Sequence, residues 1–501
     1  MLWAKKELKA IIVLIVILFS SSLWAQKLDK RQLESGIAFF KEGKYQLALE
    51  DFNTVIKSFP NSPYADDAQL YIAKYYLQIA KDYERAEKEF SELISRYAQT
   101  DSAEAAYFYI GYIKLLTGYS PEQYNEALAS FERIVRLYPG SQWVDDALLN
   151  LALTYERLRD YDRAIEKLNS LLVQYPQFEQ ISKAQLLKAK YYLYFGDYRG
   201  AIEELQRLRN KHPESSEAAK ALKTLTLLYR LRIKPKITKE PIYKYDEGFY
   251  LKVGENIKDA KTMAINSKEE IFIGDGKRNA ILKFSMAGDY LEIIPFQDPQ
   301  GIFLDSQDGI TLCNKKGVKV DQVFSLLSIK TAEGPKPIEE AIAVIKDSYN
   351  RYIVADKKRK TLLYFDKNLN YHSSLSHSFF RDFTSIAIDS QDNIWVLEEK
   401  HKSLKQFKLT GEELNTLMSK GRGYEFSQPI DISIDSCDNL YVLDKKLKKV
   451  YVFSPHYELL ASFNLHYKDG SQPDNPLLIA VDYAGGIYIF DKKTKGLLRY
   501  F

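Results

Sequence analysis

A chain of 501 residues exceeds one ordinary domain and, at about 150 residues per domain, suggests roughly three folding units. With 46% hydrophobic and 28% charged residues, and only 23 glycines and 16 prolines, it is neither a disordered chain, a collagen-like fibre nor a polytopic membrane protein. A net charge of +4 gives no globally basic, nucleic-acid-type surface, and two cysteines support neither a disulfide framework nor a four-thiolate zinc site. The 37 tyrosines favour broad amphipathic contact surfaces over a small catalytic pocket.

Residues 1–25 read as an export signal. Lys5, Lys6 and Lys9 make a positive start, Ala10 to Phe19 is unbroken apolar sequence, and Ser20 to Ser22 follow. The run is half the length of a membrane span, which needs about 20 residues. Cleavage after Ser22 or after Ala25 both fit, and an uncleaved N-terminal anchor is the alternative. No cysteine lies near the end of the run, which excludes lipoprotein processing. No second hydrophobic segment follows, so the mature chain is expected in an exported, periplasmic compartment without a membrane span.

From residue 28 to 233 the chain repeats. Five segments align: KYQLALEDFNTVIKSFP, DYERAEKEFSELISRYA, QYNEALASFERIVRLYP, DYDRAIEKLNSLLVQYP and DYRGAIEELQRLRNKHP. Each carries an alanine (Ala48, Ala86, Ala127, Ala164, Ala201) and, four residues on, a large apolar side chain (Phe52, Phe90, Phe131, Leu168, Leu205). Alanine permits close helix crossing, the residue at i+4 packs on the same face, and Pro60, Pro139, Pro176 and Pro213 stop the second helix of each pair. The alanine spacings of 38, 41, 37 and 37 resemble those of tetratricopeptide repeats (TPR), and openings such as NSPYADDA and GSQWVDDA are similar to the TPR modules of the envelope proteins BamD and the Tol–Pal coordinator. That resemblance implies an α-helical solenoid that holds other proteins. Two departures, Ala98 at the proline position and the longer Gly118–Pro121 loop, bear on local geometry.

Residues 234–247 form a basic linker containing Pro235 and Pro241. Beyond it the pattern becomes short alternating strands. Six blocks open with TMAIN, GIFLD, AVIKD, SIAID, DISID and IAVDY. They continue with IFIGD, ITLCN, YIVAD, IWVLE, LYVLD and IYIFD, then with ILKFS, VDQVF, LLYFD, LKQFK, VYVFS and LLRYF. Residues closing the first strands, Asn266, Asp305, Asp347, Asp389, Asp435 and Asp482, are 39 to 47 apart, a propeller period. A fourth strand is visible in blocks one, three, four and five. The last block stops after its third strand, and Gly248 to Gly254 before the first block is expected to supply the missing outer strand, removing an exposed edge. Residues 248–501 thus resemble a six-bladed propeller of the NHL type, so the whole is an α-helical TPR solenoid followed by an all-β propeller.

Charge is placed unevenly on this ring. The six turns between second and third strands hold 18 Lys or Arg against 6 acids, and alternation puts them on one face. The candidate anion-facing residues are Lys277, Arg278, Lys315, Lys316, Lys357, Lys358, Arg359, Lys360, Lys400, Lys402, Lys445, Lys446, Lys448, Lys449, Lys492, Lys493 and Lys495. The alternative is that these lysines only keep hairpins soluble. Turns between first and second strands are acidic (DSQDG, DSQDN, DSCDN) and face the other way. In them Asp starts a tight turn and Gly or Asn is expected at positive φ. They do not match the twelve-residue calcium loop. In the TPR array Tyr71, Tyr75, Tyr107, Tyr112, Tyr191 and Tyr192 either line a concave groove or stack between repeats.

No catalytic motif stands out and no cofactor is expected. The propeller histidines His372, His377, His401, His456 and His466 fall in outer strands or turns, and Cys313 and Cys437 are expected as free thiols. These features point to an exported, non-enzymatic scaffold whose TPR array grips one partner protein while the propeller docks a second, anionic one. Export argues against nucleic acid. The alternatives are a propeller lactonase or lyase with a TPR targeting arm, and a binder of anionic envelope polysaccharide.

Overall fold

The computed structural model describes residues 28–118, 120–237, 240–249, 251, 257–305, 307–320 and 322–501. The export signal lies outside these residues. The chain divides into two compact units, Met1–Glu204 and Leu205–Phe501.

The first unit is a stack of antiparallel helix pairs. Helical residues 28–41 (α1) pair with α2 (Tyr45–Ser58), α3 (Ala65–Lys74) with α4 (Tyr83–Arg96), α5 (Asp101–Thr117) with α6 (Pro121–Leu137), and α7 (Val144–Arg157) with α8 (Tyr161–Gln174). Then come α9 (Ile181–Tyr194) and α10 (Tyr198–Lys211), within which the division falls; α11 (Ser216–Leu228) belongs to the second unit. The five repeat alanines are fully buried, and so are Phe52, Phe90, Phe131 and Leu168. Glycine in the facing helix receives two of the rings: a Cβ on Gly111 would lie 2.9 Å from Phe131, and Gly36 stands likewise against Phe52. Aspartates Asp82 and Asp160 cap α4 and α8 by accepting the N–H three residues on. Ala98 changes nothing locally. Tyr97 ends α4 with φ −129° and ψ 45°, close to Tyr138 (−127°, 56°) and Tyr175 (−127°, 57°), which precede prolines. The stop is therefore set by the aromatic C-cap and the turn after it, in which Thr100, Ser141 and Phe178 donate their N–H to these tyrosines' carbonyls.

In the second unit six antiparallel sheets form a ring, each innermost strand neighbouring the next and the sixth returning to the first. The innermost strands are Ala260–Ile265, Gly301–Leu304, Ala341–Lys346, Phe383–Ile388, Pro429–Ile434 and Pro476–Val481. Five of them begin two residues or more before the expected start, with a β-bulge (Ala260/Thr262, Ala341/Ala343, Phe383/Ser385, Pro429/Asp431, Pro476/Leu478) that interrupts the alternation. Blade 2 differs from expectation: its third strand is Gly317–Val320, ahead of VDQVF, and Val323–Leu326 is a fourth strand the sequence reading lacked. The hydrophobic core sits between blades. Ile273, Leu282 and Phe284 of blade 1, for example, meet Leu478, Tyr488 and Phe490 of blade 6.

Blade 6 has three strands of its own. Its open edge pairs with Lys244–Asp246: Lys244 N–H donates to Phe501 O at 3.0 Å, Phe501 N–H to Lys244 O at 3.0 Å, and Asp246 N–H to Arg499 O at 2.8 Å. The closing strand expected at Gly248–Gly254 falls mostly outside the described residues; Gly248, within it, lies in a turn. In the expected linker, 234–247, Pro235, Ile237, Pro241 and Lys244 are exposed, but not every side chain is. Tyr243 is buried, stacked on Phe463 at 5.1 Å, with its hydroxyl 3.1 Å from that of Tyr441.

Candidate interaction surfaces

Because strands alternate in direction, the starts of innermost strands and the ends of second strands share one face, and the first-to-second turns occupy the other. On the latter, Asn266, Asp305, Asp347, Asp389, Asp435 and Asp482 each accept two backbone N–H bonds, from residues two and four on. The expected assignment of positive φ is corrected. Asp308, Asp392 and Asp438 take it (64°, 62° and 60°), one residue before Gly309, Asn393 and Asn439. This places their carboxylates toward the preceding blade, where Ser267, Ser348 and Ser390 each donate a backbone N–H at 2.8 Å and a hydroxyl. The second acid of each DSxD turn is thus an inter-blade clasp. Burial, with the Asp438 carboxylate close by, pushes Asp389 up to about 7; burial pushes Asp435 up to about 6.

The same face carries α11 and the π turn Tyr229–Ile233 that follows it. Lys223 donates to Ser267 O at 3.0 Å and pairs with Glu269 at 2.8 Å; Arg230 donates to Gly485 O at 2.8 Å; Arg232 pairs with Glu458 at 2.8 Å. Gly485, at φ 76°, has no room for a Cβ beside Leu227. A basic helix end therefore rests on the acidic turns.

All seventeen basic candidates lie on the opposite face, exposed or half-buried. Behind them are side chains the sequence reading missed: Asp275, Asp356, Glu398, Asp444 and Asp491, closing the second strands, are fully buried. Asp444 accepts the N–H of Ser427 at the blade entry and of Leu447 in the hairpin, and Asp275 and Asp356 repeat the arrangement. The only signal in the sequence was the acid shared by five of the six turns, with Asn314 in its place in blade 2. Two further hairpins rise beside these turns, Ser328–Thr331 with Gly334–Pro337 and Lys420–Gly421 with Tyr424–Glu425, adding Lys330, Lys336, Lys420 and Arg422.

The ring encloses a channel of about 570 Å³ walled by the innermost strands, with Lys261, Lys445, Lys492, Glu399 and Gln428 at the basic mouth. Within it Asp431 accepts from Ser385 Oγ (2.8 Å), Ile432 N–H (3.0 Å) and Ile479 N–H (2.9 Å), joining blades 4, 5 and 6; loss of water pushes its pKa up to about 6. Among the described residues no group of three or more His, Cys, Asp or Glu could hold a metal ion. Cys313 and Cys437 are free and buried, and burial raises both thiols.

The TPR tyrosines separate. Tyr191 is corrected: it is fully buried against Tyr161, donates to Glu156 Oε2 at 3.0 Å, and presents nothing to a partner. Tyr71 stacks on Phe52 at 5.1 Å, Tyr75 packs on Tyr45, and Tyr107 lies beneath Arg133. Tyr192 is half-buried near Lys188. Tyr112 is exposed and lines a recess of about 300 Å³ with Leu77, Tyr83, Phe108 and Leu116.

The family model of the outer membrane lipoprotein YfiO matches residues 26–162, and a tetratricopeptide repeat model matches 183–215. No curated protein matches the sequence. Among solved structures, virginiamycin B lyase from Staphylococcus aureus covers 52% of this chain and 99% of its own at 11% identity and a TM-score of 0.39. A gluconolactonase from Xanthomonas campestris, XC5397, covers 51% and 87% at 12% identity and a TM-score of 0.37. Neither likeness bears on activity. The chain joins a tetratricopeptide array similar to the outer membrane lipoprotein family to a six-bladed β-propeller.

Proposed function

We propose that this protein is a non-enzymatic scaffold of the cell envelope, exported without a lipid anchor, in which the TPR array holds one protein and the basic propeller face docks another that is anionic. The carrying observation is how the propeller's acids are used. Turn carboxylates are committed to backbone N–H groups and inter-blade serines, while the cations they support project from one face. The match to an outer membrane lipoprotein family favours the envelope. The two cysteines, at 313 and 437, leave no thiol near the N-terminal apolar run for lipid attachment. Apolar side chains of the innermost strands, Met263, Ile302, Val344, Ile386, Ile432 and Ala480, line the channel beside the polar Thr262, Ser385 and Asp431.

The test is in-cell crosslinking of the full chain followed by envelope fractionation and N-terminal sequencing. The expected result is a mature chain starting near Gln26 and crosslinked to envelope proteins. A chain starting at Met1 and recovered from the cytosol would sink the reading.

A further inference from the structure

Resting on the reading that the basic face docks an anionic partner, we propose that docking is confined to the sector of blades 4 and 5, and that its occupant is an acidic protein segment carrying apolar side chains. The cations of the face are not equivalent. In the other blades most are already paired: Lys315 with Asp298 (3.8 Å), Lys357 with Asp382 (3.4 Å), Lys358 and Arg359 with Glu339 (3.3 Å each), Lys492 with Asp259 (3.5 Å) and Lys493 with Asp474 (2.5 Å). Single unpaired lysines remain there, such as Lys277, Lys316, Lys360 and Lys495. In blades 4 and 5, Lys400, Lys402, Lys445, Lys446 and Lys448 have no ion-pair partner among the described residues, nor has Arg422 on the hairpin beside them. Gln428 ties the two turns together, its side-chain Nε2–H donating to Glu399 at 2.8 Å while its backbone carbonyl accepts from Lys445 N–H at 2.9 Å. The free charges therefore form one cluster.

Turn chemistry does not account for these lysines. Lys402 and Lys448 adopt φ 52° and 48°, as Lys360 and Lys495 of blades 3 and 6 do at 59° and 55°, in the left-handed region that favours asparagine or glycine; blade 1 places Asn279 there at φ 52°. The cluster also holds apolar surface. Leu447, between Lys446 and Lys448, is 40% exposed, and Met418, ahead of the Lys420–Glu425 hairpin, is 60% exposed. Cations interleaved with exposed Leu and Met suit a protein segment better than a polysaccharide, which has no large aliphatic groups to bury.

The experiment titrates the full chain with fluorescent synthetic peptides, one alternating Glu and Leu and one alternating Glu and Ser, and with a sulfated oligosaccharide as competitor. The Glu–Leu peptide is expected to bind most tightly and to weaken with salt. Changing Lys400, Lys402, Lys445, Lys446 and Lys448 to serine should cost it about tenfold or more, and Lys357, Lys358 and Lys360 to serine under about threefold. Leu447→Ser with Met418→Ser should bring the two peptides to equal affinity. Equal loss from both lysine sets would overturn the sector while leaving the basic-face reading standing. Failure of every acidic probe to bind would overturn both. Equal binding of the two peptides by the unaltered chain, or stronger binding of the oligosaccharide, would overturn the protein segment as occupant.

Discussion

Replacing Tyr500 by alanine tests how the ring is closed. Tyr500 is fully buried on the last strand, 5.0 Å from the Phe463 ring and 5.6 Å from Tyr245 of the closing segment. Its hydroxyl donates to His466 O at 2.9 Å and accepts His466 N–H at 2.8 Å. Losing a buried aromatic ring costs about 3–5 kcal/mol. Leaving two backbone groups of His466 without partners adds about 1 kcal/mol each. A total of about 5–7 kcal/mol would rival the stability of many whole domains and lower the propeller's Tm by about 10 °C or more. Tyr500→Phe keeps the ring and should cost about 2 kcal/mol. Thermal unfolding supplies the Tm, and segment-resolved hydrogen exchange locates the loss. Faster exchange should appear first in blades 6 and 1 and in residues 243–246, with α2 to α8 unchanged. A Tm shift within about 2 °C for the alanine variant, or equal loosening of α2 to α8, would refute the closure argument.

Three other outcomes follow. Gly111→Ala places a methyl 2.9 Å from Phe131 and should destabilise the first unit by about 1–3 kcal/mol, read from urea unfolding followed by helical ellipticity. Asp308→Ala leaves Ser267 without its acceptor and should cost about 1–3 kcal/mol in the propeller; Ser267→Ala should cost less because the backbone N–H bond survives. Asp431 has a folded pKa raised to about 6 against an ordinary value of about 3.9, so the fold favours its protonated form. Its contribution is complete below about pH 4 and is lost as pH rises through about 6. Propeller stability measured from pH 4 to pH 7 should therefore fall more in the unaltered chain than in Asp431→Asn, by at most about 3 kcal/mol; parallel curves would count against it.

The helical pattern was legible because one alanine and one large apolar residue recur at a fixed offset, and both are buried in every repeat. The ring was legible from its second strands, whose positions match the expected ones. What escaped was whatever breaks alternation or acts through the backbone. The bulges hide the beginnings of the innermost strands: Lys261 and Thr384 fall at the register shift. Lys244–Asp246 closes the ring with three residues, too few to carry a period. Asp356 and Asp444 looked like members of charged turns, since their burial depends on where the next blade's entry passes. Tyr191 shares its spacing with exposed tyrosines, and only the neighbouring helices decide which face is covered.

The serine and aspartate that meet across blades work as plug and socket. Blades 1, 3 and 4 offer a hydroxyl forward and blades 2, 4 and 5 hold the carboxylate that receives it, so the junction from blade 1 to 2 uses the same parts as those from 3 to 4 and 4 to 5. A joint of this kind is indifferent to which repeat it connects. Copying blade 4, which carries both parts, would leave matched fittings on both sides of the copy, and a ring could grow there without a new seam. The cost falls on the isolated unit, because blade 4 taken alone carries an unfilled carboxylate at Asp392 and an unreceived hydroxyl at Ser390.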